Sequence, residues 1–88
     1  MRNDMGMSLG KADKIILKLL TMSERALSTY EIAKKLNLSW ATANVHCYKL
    51  MSLGAISGRN EEVKIGMRRI VWTLTDAEMQ KEKEDVSL

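Results

Sequence analysis

Between Leu27 and Gly54 the chain carries four helix-boundary signals within 28 residues, and together they leave it few ways to fold. Ser28 and Glu31 have the S-x-x-E spacing of a capping box, in which a hydroxyl accepts from a free first-turn amide while the Glu carboxylate reaches back to the amide of the cap residue. Leu27 and Ile32 flank it at the spacing of a hydrophobic staple. The spacing predicts a short helix ending at Leu36, with Asn37 taking the left-handed exit that few residues besides glycine tolerate. Ser39 caps a second helix, Leu38 and Ala43 repeat the staple, and Gly54 is the predicted stop. A short helix, a tight turn and a longer helix form a helix-turn-helix.

Ala43, Cys47 and Leu50 recur on one face of the second helix, with His46 beside them as a further candidate for burial. Trp40, Ala41, Asn44, Val45, Tyr48 and Lys49 are left on the other face. Solvated helix faces usually carry Glu, Lys and Gln, yet no acid occurs between Glu31 and Glu61. An amide suits an adenine edge, and small apolar groups suit a thymine methyl. Trp40, Ala41, Asn44, Val45 and Tyr48 are therefore candidate base contacts, with Ser39, Thr42 and Lys49 as candidate phosphate contacts. Tertiary packing of Trp40 and Tyr48 is the plainer alternative.

The run L-S-W-A-T-A-N-V-H-C-Y-K-L-M-S-L-G-A-I, followed by the basic segment ending R-R-I-V-W-T-L-T, resembles winged helix-turn-helix repressors of the MarR and ArsR type. The resemblance covers roughly residues 12 to 75. It implies an α+β fold: a three-helix core, a two-stranded β-hairpin wing and a short C-terminal helix, with a short strand near Ala26 to Ser28. It also implies a homodimeric regulator of transcription that binds double-stranded DNA, the helix at about 40–53 entering the major groove. Metal-sensing members use several Cys or His ligands, whereas this chain has one of each.

Eighty-eight residues suit one small domain whose core is thin, so association would help it. The net charge of +3 conceals a segregation. Residues 11 to 75 hold eleven Lys and Arg against five Asp and Glu, a balance of +6; residues 76 to 88 hold two against five, a balance of −3. A basic body suits a phosphate-binding surface. A single cysteine rules out an internal disulfide and suits a reducing cytoplasm. No run approaches the length of a membrane span and no signal peptide is visible.

Three segments follow from the pattern. Residues 1 to 10 lack periodicity and contain two glycines, which predicts a flexible arm. Residues 11 to 75 form the DNA-binding domain, and residues 76 to 88 a C-terminal helix or tail that is a candidate dimerisation element. The first helix starts at Lys11, with Ala12, Ile15, Ile16, Leu19 and Leu20 as its core stripe and Lys11, Lys14 and Lys18 opposite. Leu17 and Met22 widen the apolar arc, either as core or as a surface for a second subunit. Lys34 and Lys35 near the end of the next helix favour its dipole and are possible extra backbone contacts.

After Gly54 the period becomes alternating. Ala55 to Ser57 open one strand; Ile70 to Thr75 close another with Ile70, Trp72 and Leu74 on one face. The turn falls within residues 60 to 67, with Gly66 as its candidate. Arg59, Lys64, Arg68 and Arg69 would lie along phosphates or in the minor groove, although charge is also what a solvated hairpin carries. Thr75 and Glu78 repeat the capping-box spacing, with Leu74 and Met79 as staple. The helix they start is polar on nearly every side, and only Ala77, Met79, Val86 and Leu88 are apolar enough to be buried.

Enzymatic chemistry has little support. His46 and Cys47 are helix neighbours pointing about 100° apart, which spoils a nucleophile–base pair. No phosphate loop, HExxH or CxxC occurs. One His and one Cys are too few for a metal site, so no metal or cofactor is expected. Cys47 reads as a small core residue and His46 as structural or phosphate-adjacent. The expectation is a sequence-specific, homodimeric DNA-binding regulator, pairing through its first and last helices. The alternatives are a winged-helix module that binds proteins in a transcription or replication assembly, and a small-molecule sensor.

Overall fold

A computed structural model describes the backbone of residues 9–86 and the side chains through residue 81. Most of the predicted arm, and Val86 and Leu88 as apolar tail residues, therefore lie outside the described side chains. The elements are α1 (Lys11–Met22), β1 (Leu27–Ser28), α2 (Thr29–Leu36), α3 (Trp40–Ser52), β2 (Ile56–Lys64), β3 (Met67–Leu74) and α4 (Asp76–Val86). The three strands form one antiparallel sheet in the order β1-β3-β2. This is the α+β winged helix-turn-helix architecture, with β1 pairing at Leu27↔Trp72 and Ser28↔Val71.

Local chemistry sets the boundaries. The Ser28 Oγ accepts from the Glu31 amide at 3.1 Å, and the Ser28 amide donates to Glu31 Oε1 at 2.9 Å, completing the capping box. Asn37 sits at φ 58°, ψ 44°. That left-handed exit lets the Leu38 amide donate to the Ala33 carbonyl at 2.9 Å and closes the turn. Gly54, at φ 79°, does the same for α3: its amide donates to the Met51 carbonyl and the Ala55 amide to that of Leu50.

The core is built from Ile16, Leu17 and Leu20 of α1, Ile32 and Ala33 of α2, and Ala43, Cys47 and Leu50 of α3, closed by Leu27, Ile56, Trp72 and Leu74. Trp72 is fully buried, and its Nε1 donates to Thr29 Oγ1 at 2.9 Å, so its one polar atom is satisfied. Gly58 lies on the ring: a Cβ there would stand 2.7 Å from Trp72 Cζ3.

Two elements depart from the sequence expectation. In α1 the buried face is Asp13, Ile16, Leu17 and Leu20, so the stripe is rotated; Ala12, Ile15 and Leu19 are its half-buried flank and Leu17 belongs to the core. A buried carboxylate replaces the apolar residue the helix pattern called for. In α4 the Glu78 amide is capped by Thr75 Oγ1 at 3.2 Å, but the Thr75 amide donates to the Ala55 carbonyl, so the reciprocal half of the box does not form. Thr75 Oγ1 also donates to the Gly54 and Ala55 carbonyls, tying α4 to the end of α3. Glu78 is buried, whereas Ala77 and Met79, the apolar candidates, are exposed.

Candidate nucleic-acid interface

The turn at Asn37 and the cap at Ser39 fix how α3 leaves the body. Ser39 Oγ accepts from the Thr42 amide at 3.1 Å and donates to Thr42 Oγ1 at 2.9 Å, so the two hydroxyls sit together at the helix start. With Ala43, Cys47 and Leu50 fully buried, the opposite side of the helix faces outward. Trp40, Val45 and Tyr48 are 55%, 64% and 45% exposed; Ala41 is exposed and Asn44 half-buried. The five side chains singled out from the sequence for bases therefore share one accessible face. Tyr48 also packs edge-on against Trp72, ring centroids 5.3 Å apart and planes at 88°, which links α3 to the sheet.

The inner edge of α3 is held by an anion the sequence pattern did not reveal. Asp13, fully buried, accepts from His46 Nδ1 at 2.7 Å, from Lys49 Nζ at 2.6 Å and from the Gly10 amide at 2.8 Å. Because an ionised carboxylate only accepts, His46 carries its hydrogen on Nδ1. Burial pushes the Asp13 carboxyl up, but the bonds from Lys49, the Gly10 amide and His46 outweigh it and hold the group below the usual carboxylate value. The Lys49 ammonium, singled out for a phosphate, is thus committed to Asp13, and His46 is half-buried beside it rather than in the apolar core. The available signals were an Asp at the third position of a helix and two basic groups at i, i+3 on another; nothing local joins them.

The wing spans β2 and β3 with Ile65 and Gly66 at its tip, Gly66 at φ 81°. Arg59, Lys64 and Arg68 are exposed and, among the described residues, hold no ion pair. Arg69 differs: its Nε and Nη2 reach Glu61 Oε1 at 3.1 and 3.0 Å across the strands. Between wing and helices lies an open cleft of about 380 Å³ lined by Ser28, Thr29, Tyr30, Trp40 and residues 68–70. Lys34 stands 5.7 Å from the Tyr30 ring centroid, and Lys35 is exposed.

Burial pushes the Cys47 thiol up to about 12, which keeps it protonated and unreactive at neutral pH. Among the described residues no group of three or more His, Cys, Asp or Glu gathers where it could hold a metal ion, and no helix is long and apolar enough to cross a membrane.

Fold and surface together define a winged helix-turn-helix protein. Solved structures with this fold bear the class out. A variant of ZitR from Lactococcus lactis matches with TM-score 0.69 and 25% identity over 96% of this chain and 55% of that one. The adhesin competence repressor AdcR from Streptococcus pyogenes matches with TM-score 0.74 and 22% identity, over 97% and 59% of the two chains. The S. aureus MepR–DNA complex matches with TM-score 0.78 and 17% identity, over 92% and 64%. These neighbours are winged-helix transcriptional regulators, in keeping with the resemblance to the MarR and ArsR type. The chain spans a little over half the length of the ZitR and AdcR chains. No protein-family model and no curated protein sequence matches it.

Proposed function

We propose that the protein is a sequence-specific regulator of transcription that binds duplex DNA as a homodimer, with α3 in the major groove and the wing along the backbone or in the minor groove. The observation that carries this is the accessible face of Trp40, Ala41, Asn44, Val45 and Tyr48, flanked by the wing cations Arg59, Lys64 and Arg68, which hold no ion pair among the described residues. Asn44 reads a base, the apolar groups meet thymine methyls or the groove wall, and Arg59, Lys64 and Arg68 meet phosphates. Ser39 and Thr42 offer hydroxyls at the helix start; Lys34 and Lys35 add charge. Arg69 and Lys49 contribute less than their charge suggests, because carboxylates already face them. The MepR complex with DNA supports the same role for this fold.

Pairing through α1 and α4 is supported by apolar surface at Met22, which is 73% exposed, and at Met79. Two-fold symmetry would set half-sites about one helical turn apart. The test is a salt-titrated gel shift on duplex recovered by selection from random sequence, with light-scattering mass in parallel. A selected motif, a dimer mass and a log–log slope of several units are expected. Failure to select any motif, or binding indifferent to salt, would overturn it and favour a protein-binding module.

A further inference from the structure

The wing ends in apolar groups that the fold does not use. Ile65 is 96% exposed at the hairpin tip, with Val63 at 54% and Met67 at 53% beside it. Tips of tight hairpins are ordinarily Asn, Asp or Gly, and a β-branched residue is poorly suited to a turn. At that exposure Ile65 buries nothing within the chain, so stability does not explain it. The charged side chains adjoining this patch are Lys64 beside Ile65, Arg68 beside Met67 and Glu62 beside Val63, two cations to one acid. Of the nearby acids, Glu61 is paired with Arg69, and Glu62 lies directly across the strands from Arg68.

We propose that the wing tip is a wedge for the minor groove, in which Ile65, supported by Met67, pushes between base pairs and bends the duplex. The proposal rests on the DNA-binding function above and deepens it. Three observations fit this occupant. First is charge: a cationic collar around an apolar point matches an apolar base stack walled by phosphates, and an apolar side chain inserted at a base step is how minor-groove proteins kink DNA. Second is reach. From Asn60, opposite half-buried Ile70, the five steps to Ile65 carry the tip up to about 16 Å outward at about 3.3 Å per residue. Adjacent major and minor grooves are about half a helical turn, or about 17 Å, apart. Third is size: a groove about 6 Å wide excludes a two-stranded ribbon but admits one side chain from its tip. The tip holds no hydrogen-bonding side chain at residue 65, so it reads how readily a step opens rather than base edges.

The experiment uses the full chain and the selected duplex carrying dyes at its ends. Energy transfer reads the bend, and a salt titration of affinity is run alongside. The wild-type protein is expected to bend the duplex by about 20–90°. Ile65→Ser should straighten it and weaken binding several-fold while the salt slope stays unchanged, because no phosphate contact is lost. Ile65→Leu should restore the bend. Thermal unfolding should be the same for all three, since Ile65 is solvated in the free protein. A straight wild-type complex, or an Ile65→Ser complex bent as before, overturns the wedge and leaves DNA binding standing. A wild-type chain that selects no duplex overturns the function itself, a separate result. An Ile65→Ser variant whose salt slope drops by about one unit with its bend intact would show the tip lying on phosphates and would also overturn the wedge.

Discussion

Asp13 is where the fold can be tested most sharply. Replacing it with Ala removes the acceptor for His46, Lys49 and the Gly10 amide at one stroke. Taking away one member of a buried ion pair costs about 3–5 kcal/mol when the survivor is stranded. Here the His46 and Lys49 side chains are 29% and 26% exposed, so both can turn toward water and recover part of that loss. Loss of the contact at the start of α1 adds about 1 kcal/mol. The net expectation is a destabilisation of about 2–4 kcal/mol, or about 4–8 °C of Tm for each kcal/mol in a domain of this size. Asp13→Asn should cost less, since it keeps the shape and one acceptor. Urea unfolding at pH 7 measures both. Combining Asp13→Ala with Lys49→Met should cost clearly less than the two single losses added, because they share one interaction. A loss below about 1 kcal/mol for Asp13→Ala, or strict additivity, would refute the assignment of Asp13 as the group joining α1 to α3. The pH dependence has a definite sign. With its folded-state pKa held below the unfolded value of 3.8, Asp13 stabilises the protein above that value and ceases to do so as the pH falls through and below it.

Glu31 adds to the same acid sensitivity. The Arg25 guanidinium at 2.9 Å and the Ser28 amide lower its pKa from 4.5 to about 2, so its contribution is present above pH 4.5 and should vanish between there and pH 2; Glu31→Gln should flatten that part of a stability–pH curve. Gly58→Ala should lower stability by about 1–3 kcal/mol in urea, because the new methyl meets Trp72 ring carbons at 2.7 and 2.9 Å and Ile70 Cδ1 at 3.0 Å. An unchanged midpoint would mean the ring does not lie on the strand. On selected duplex, Asn44→Ala should cost about 1–3 kcal/mol and relax preference at one base pair, whereas Arg68→Ala should weaken all sequences alike and reduce the salt slope by about one unit. Equal losses from both on specific and random duplex would refute that division of labour.

The parts legible in the sequence were those whose cause is local. Ser28 with Glu31, Asn37, Ser39 and Gly54 each act within one helical turn, and each sits where the sequence placed it. The outer face of α3 was legible for a related reason: helical spacing alone separates Ala43, Cys47 and Leu50 from Trp40, Asn44 and Val45. What escaped depends on partners far along the chain. Asp13 meets groups 33 and 36 residues away, and a charged residue between Ala12 and Ile15 gave no cause to rotate the stripe. Arg69 and Glu61 came together only once the hairpin register was set, and Tyr48 found Trp72 only once α3 lay against the sheet. Thr75 carries a capping-box spacing, yet tertiary structure offered its amide a carbonyl at Ala55 and the local pattern lost.

The two tryptophans supply the most direct measurement of the central claim, because one is buried and the other is more than half exposed. Iodide quenching of the free protein should reach Trp40 and leave Trp72 untouched, and saturating selected duplex should shield Trp40 while leaving the buried ring as it was. Trp40 that stays quenchable in the DNA complex, or is already shielded in the free protein, would contradict the proposed placement of α3 in the groove.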